Sequence, residues 1–165
     1  MASAWDKYIQ GFLTNKQLPG GKWLQKVVES AAIVAHNGTI LAATPGFTLG
    51  TYVYDMQVDE KTTKKVPIDE KKIITTAVLT GDVSAFEAGV RISNQKYMMV
   101  NYDVPTKLAY FSKIGGGACA MATKTTIIFA SYKNSLMMSD GNPQNPGLCN
   151  EVVEKLATTF IKSNT

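Results

Sequence analysis

Asn145-Pro146-Gly147-Leu148-Cys149-Asn150-Glu151-Val152-Val153-Glu154-Lys155-Leu156-Ala157-Thr158-Thr159-Phe160-Ile161 is the most regular stretch of the chain. Cys149, Val152, Val153, Leu156, Ala157, Phe160 and Ile161 recur at i, i+3, i+4, i+7, i+8, i+11 and i+12, one apolar stripe of an α-helix. Asn145-Pro146 suits its start, because proline at the first helical position has the right φ and no N–H to leave unbonded. A helix with one apolar stripe must dock on one surface, and the preceding sequence supplies it. Residues 90–92, 97–100, 108–111, 118–122 and 126–132 are short β-rich runs at short intervals, as an antiparallel meander requires. Residues 134–147, rich in Asn, Pro, Gly and Ser, read as the loop between sheet and helix.

Towards the N-terminus, residues 31–35 and 39–43 flank Asn37-Gly38, whose positive φ angles suit a tight turn, so they read as a hairpin. Asp69 is placed to cap a middle helix through Ile73, Ile74, Ala77 and Val78, which Gly81 ends. Residues 45–67 have no sustained period and read as an extended loop. Between 59 and 72, Lys61, Lys64, Lys65, Lys71 and Lys72 face Asp59, Glu60, Asp69 and Glu70. So balanced a stretch is a solvated excursion and not a nucleic-acid patch. At the start, Ser3-Ala4-Trp5-Asp6 resembles a capping box with Asp for Glu, and Trp5, Tyr8, Ile9, Phe12 and Leu13 follow at helical spacing. This predicts a first helix ending before Pro19-Gly20-Gly21, then a short amphipathic stretch from Lys22 to Glu29.

The 165 residues suit one domain, and 45% apolar with 18% charged residues suits a self-sufficient core. Asp6, Lys7 and Gln10 interrupt the apolar residues of Met1–Leu13, so the stretch lacks the centre of an export signal, and no run has membrane-spanning length. A cytoplasmic location follows as an expectation, with Cys119 and Cys149 as reduced core residues in place of a disulfide. The net charge of +4 favours an acidic partner or merely aids solubility.

Catalytic equipment is not evident. Gly115-Gly116-Gly117 lacks the Lys-Ser/Thr and the following helix of a phosphate loop, and reads as a connection between strands. His36, the single histidine, stands at a predicted turn with no Cys or carboxylate at ligand spacing. On the first helix, Trp5, Tyr8 and Phe12 share one flank while Ile9 and Leu13 lie on the other. Such rings pack a core, or else, left near the surface, stack on pyrrolidines while their N–H and O–H groups bond the carbonyls of a polyproline II helix.

Several segments in order resemble the profilin family. Ala4-Trp5-Asp6-Lys7-Tyr8 is similar to its opening Ser-Trp-x-x-Tyr, and Ser30 to Gly38 to its first hairpin. Gln95-Lys96-Tyr97-Met98 resembles its central strand, Gly115 to Thr125 its glycine-containing strand pair, and Pro146 to Leu156 its last helix. The resemblance implies an α/β fold of the α+β kind. A central antiparallel sheet of about six to seven strands carries the N- and C-terminal helices on one face and the middle helix on the other. It implies a non-catalytic, monomeric, cytoplasmic cytoskeletal protein without cofactor or metal, which binds monomeric actin, promotes exchange of actin's nucleotide and delivers actin to proline-rich proteins such as formins.

By position, the resemblance assigns proline-rich binding to Trp5, Tyr8, Leu41, Thr159 and Phe160. Leu41 stands for a tryptophan and Thr159 for a tyrosine or histidine, a smaller aromatic platform that predicts weaker binding. Actin binding falls to Phe86, Met99, Asn101, Lys113, Asn150, Glu151 and Glu154. Asn101 stands where arginine is common and Glu151 where lysine occurs in some members. Lys96, Lys113 and Lys124 are candidates for phosphoinositide headgroups, or are simply solvated. The 51–67 insertion is longer than usual in the family. Two other classes stay open from the sequence: a small ligand-sensing domain, which needs an apolar cavity, and an enzyme with an unfamiliar site, which needs clustered titratable groups.

Overall fold

The structure, a computed structural model, describes residues 3–165; Met1 and Ala2, the first residues of the stretch compared with an export signal, lie outside the described residues. The chain opens with a helical turn, α1 (Asp6–Tyr8), continued by a π-helical turn over Ile9–Leu13 in which Thr14 N–H reaches Ile9 O at 2.9 Å. The capping box is partial. Ser3 N–H donates to Asp6 Oδ2 (2.7 Å), but Ser3 Oγ accepts from Trp5 N–H and donates to Leu41 O, which ties the N-terminus to the sheet. The helix is shorter than the spacing predicts, because Lys16–Gln17 (β1) and Trp23–Leu24 (β2) pair around Pro19-Gly20-Gly21.

The expected first hairpin forms from β3 (Ser30–Ala35) and β4 (Ile40–Ala43). The predicted loop over 45–67 is corrected: β5 (Thr51–Gln57) and β6 (Thr63–Asp69) form a separate two-stranded antiparallel sheet. Its period was hidden because exposed Val53 interrupts the polar side of β5, while β6 carries exposed Lys64 and Lys65 and a proline. Pro67 is tolerated because both strands of a two-stranded sheet are edges.

Helix α2 (Glu70–Thr80) begins and ends as predicted. The Asp69 side chain accepts from Lys72 N–H, and Gly81 has φ 74°. A Cβ at Gly81 would lie 2.5 Å from the Tyr102 ring, so glycine is required twice over. Strands β7 (Val90–Ile92), β8 (Gln95–Asp103), β9 (Leu108–Lys113), β10 (Gly116–Ala122) and β11 (Thr126–Lys133) complete the meander, and α3 (Pro146–Lys162) follows with Asn145 as its cap. The glycine run turns β9 into β10, and a Cβ at Gly116 would stand 2.1 Å from Tyr132 O, so close backbone approach explains that glycine.

Seven antiparallel strands form one sheet in the order β4-β3-β11-β10-β9-β8-β7. Its two faces build two cores. Ile127 and Phe129 of β11 meet Ile73, Ile74, Ala77 and Val78 of α2, whereas Ile128 and Ala130 meet Leu13 and the α3 stripe. Cover on both faces makes β11 an almost continuous apolar run. The expected arrangement, terminal helices on one face and middle helix on the other, is the one observed. One stripe member is corrected: Ile161 is 46% exposed, at the margin of the stripe beside buried Ala157 and Phe160.

Cys119 and Cys149 are free and fully buried, and Cys149 Sγ–H donates to Ala130 O at 3.3 Å. Burial pushes the Cys149 thiol up to about 12 and raises that of Cys119 as well, so both stay neutral. His36 Nε2 lies 3.1 Å from the carbonyls of Thr123 and Thr126, where the ring N–H joins two turns of the sheet.

Candidate functional site

Trp5, the residue just before α1, and Tyr8 at its end stand half-buried with Phe160 of α3 beneath them. Ring centroids of Trp5 and Phe160 are 5.8 Å apart and those of Tyr8 and Phe160 4.9 Å, both near perpendicular, while Trp5 and Tyr8 are 6.4 Å apart. Edge-to-face packing sets ring edges against ring faces, so each ring is held without a polar tether. Phe160, 4% exposed, is the floor of this cluster and offers little surface to a ligand. Leu41 of β4, also half-buried, packs against the same core. Thr159 is exposed and donates its hydroxyl to Lys155 O of its own helix at 2.8 Å. Four of the five positions thus share one cluster, and Thr159 lies on the solvent side of α3. Phe12, 39% exposed with its ring 5.8 Å from Tyr8, extends the row. Its helical spacing from Tyr8 is the signal for that place.

The residues assigned to actin divide into smaller groups. Asn101 and Asn150 line one groove of 350 Å³ with Val100, Tyr110, Tyr132 and Pro146, where β8–β11 meet the start of α3. Glu154, near Tyr110, helps raise that phenol's pKa, after burial. Met99 and Phe86 pack against the core on the α2 side of the sheet, and Phe86 lines a separate 490 Å³ cleft beneath β6. Glu151 points elsewhere, pairing with Lys16 of β1 at 2.5 Å. Lys113 is corrected from a surface cation: its side chain is 6% exposed, and its ammonium is bonded to Glu29 and Gln95 and lies 5.3 Å from the centre of the Tyr97 ring. A lysine on a strand looks solvent-directed in sequence, and only the fold brings Glu29 from before β3 to meet it.

Lys96 and Lys124 are both exposed but lie apart. Lys96 rests its stem against Gly89, while Lys124, in the turn between β10 and β11, donates to Asn164 Oδ1 at 2.6 Å. Among the described residues, no cluster of three or more His, Cys, Asp or Glu side chains is arranged to hold a metal ion, and no helix is long and apolar enough to cross a membrane.

The family described as "Profilin" matches this chain over residues 3–165. The chain belongs to the profilin family. The profilin of Tetrahymena pyriformis is 33% identical over 159 residues, covering 96% of each chain. Among solved structures, Acanthamoeba castellanii profilin II superposes with a TM-score of 0.65 at 20% identity, covering 98% of this chain and 100% of the other. Mouse profilin IIa, solved in complex with a double repeat from the FH1 domain of mDia1, superposes with a TM-score of 0.55 at 15% identity, covering 84% of this chain and 89% of the other. These likenesses account for the profilin arrangement of terminal helices on one sheet face.

Proposed function

We propose that this profilin-family chain is a cytoplasmic, monomeric and non-catalytic adaptor that binds monomeric actin on one side and a proline-rich segment on the other. Family membership over residues 3–165 carries the reading. For actin, the supporting surface is the groove of Asn101 and Asn150 with exposed Met98 and Val100 beside it on β8. Apolar side chains supply contact area and the two amides supply hydrogen bonds without a desolvated charge. By holding actin with its nucleotide cleft open, the complex speeds nucleotide exchange. Titration with monomeric actin carrying a fluorescent nucleotide tests this: a complex forms at micromolar concentrations and nucleotide release quickens. No complex at tens of micromolar would sink the actin reading.

The proline-rich surface is the row of Trp5, Tyr8 and Leu41 over Phe160, supported by half-exposed rings fixed by their neighbours. A repeat such as the FH1 segment held by mouse profilin IIa is the kind of ligand it suits. Phosphoinositide binding rests on less. Lys113 is engaged by Glu29, and Lys96 and Lys124 stand singly, so a headgroup would meet isolated cations and be shed as salt rises.

A further inference from the structure

Trp23 of β2 is 48% exposed, although it is among the largest apolar side chains of the protein. It lines a small cleft of 170 Å³ with Phe12, Lys16, Glu151 and Lys155, between the π-helical turn and the first turns of α3. Phe12 in turn neighbours Tyr8, which neighbours Trp5. The aromatic row therefore does not stop at the positions assigned by resemblance. It continues beside α3 from the level of Phe160 back to that of Val152.

We propose that the proline-rich site is an extended track in which Trp5 and Tyr8 hold one part of a polyproline II segment, and Phe12 and Trp23 hold its continuation. The proposal rests on the proline-binding reading given above and deepens it. Trp5–Tyr8 and Tyr8–Phe12 are separated by 6.4 and 5.8 Å. Each interval is close to the rise of two polyproline II residues at about 3.1 Å per residue. Trp23 then adds a ring face and an indole N–H, the donor that a solvated proline carbonyl lacks in its own chain. The Lys16–Glu151 ion pair at the cleft already neutralises the nearest acid, so an uncharged segment meets no unpaired carboxylate there. Its occupant is a proline-rich segment of about ten residues or more, continuous with the one on Trp5. A short repeat would leave Trp23 untouched.

The test compares six- and twelve-residue oligoproline peptides, by calorimetry, on the full chain and on Trp5→Ala, Phe12→Ala and Trp23→Ala. The wild type is expected to bind the longer peptide more tightly than repeat number alone predicts. Trp23→Ala should weaken the twelve-residue peptide roughly fivefold to tenfold, as loss of one stacked ring does, while leaving the hexamer unchanged. Phe12→Ala should act in the same direction, and Trp5→Ala should weaken both peptides. Should a variant fold poorly, the indole N–H resonance of Trp23 in the wild type gives the same answer, shifting with the twelve-residue peptide and not with the hexamer. Binding of both peptides with no effect of Trp23→Ala and no shift of its indole overturns the track alone. Failure of the wild type to bind either peptide overturns the proline reading and the track with it.

Discussion

Phe160 and Trp5 touch, yet they do different work. Phe160 is 4% exposed and belongs to the α3 stripe, whereas Trp5 has one side open to solvent. Phe160→Ala should therefore cost about 3–5 kcal/mol of stability, as for a buried phenylalanine, and weaken proline binding only because the rings above lose their floor. Trp5→Ala should cost much less stability and weaken peptide binding directly. Urea unfolding and peptide titration of both variants separate the roles. Equal loss of stability would refute the division. Sequence placed Phe160 both on the core stripe and in the ligand site, and its burial decides for the floor. Trp23 was the converse, because a tryptophan in a two-residue strand carries no periodic signal.

At the scale of elements, the β5–β6 hairpin is held at its base by one carboxylate. Glu70, 1% exposed at the start of α2, accepts from Gly50 N–H (2.9 Å), Tyr52 O–H (2.8 Å) and Asn94 N–H (2.8 Å). Arg91 adds a second clasp, its guanidinium 3.9 Å from the centre of the Tyr54 ring and its Nε–H donating to Ala88 O. Glu70→Ala leaves these donors without their acceptor and should destabilise the fold by about 1–3 kcal/mol. Amide exchange should quicken first in β5, β6 and the turn at Ser93-Asn94, with β10 and β11 still protected. Uniform acceleration across the sheet would show that the hairpin is not an independent unit. The same chemistry defeated the sequence reading: the hairpin's partners lie in α2 and before β8, so its local pattern resembles a loop.

Across the whole molecule, burial keeps weakly acidic groups neutral: Cys119 and Cys149 in the core under the terminal helices, and Tyr52 where the hairpin packs on the other core. The Cys149 thiol moves from 9.0 to about 12 through burial, Cys119 shifts in the same direction, and Tyr52 moves from 10.0 to about 12 through burial and its bond to Glu70. Each folded pKa is raised, so the unfolded chain releases its protons first as pH rises. The stability these groups contribute is complete below pH 9 and falls from there to about 12. Denaturant midpoints should accordingly drop between pH 9 and 11, and replacing both cysteines with alanine should flatten part of the drop. An unchanged profile in that variant would assign the loss to other groups.

By itself the sequence determined the elements whose signals are local: the α3 stripe with its Asn145-Pro146 start, the Asp69 and Gly81 ends of α2, the Asn37-Gly38 hairpin and the meander. It also determined membership of the profilin family, through ordered matches along the chain. Only the tertiary structure decided what those elements share. It turned Lys113 inward to Glu29, sent Glu151 to Lys16, folded residues 51–69 into a hairpin clasped by Glu70, and brought Trp23 to the same cleft as Phe12. The reason is physical: caps, turns and stripes depend on neighbours within a few residues, whereas the fate of a charge or a ring depends on partners that are distant in sequence.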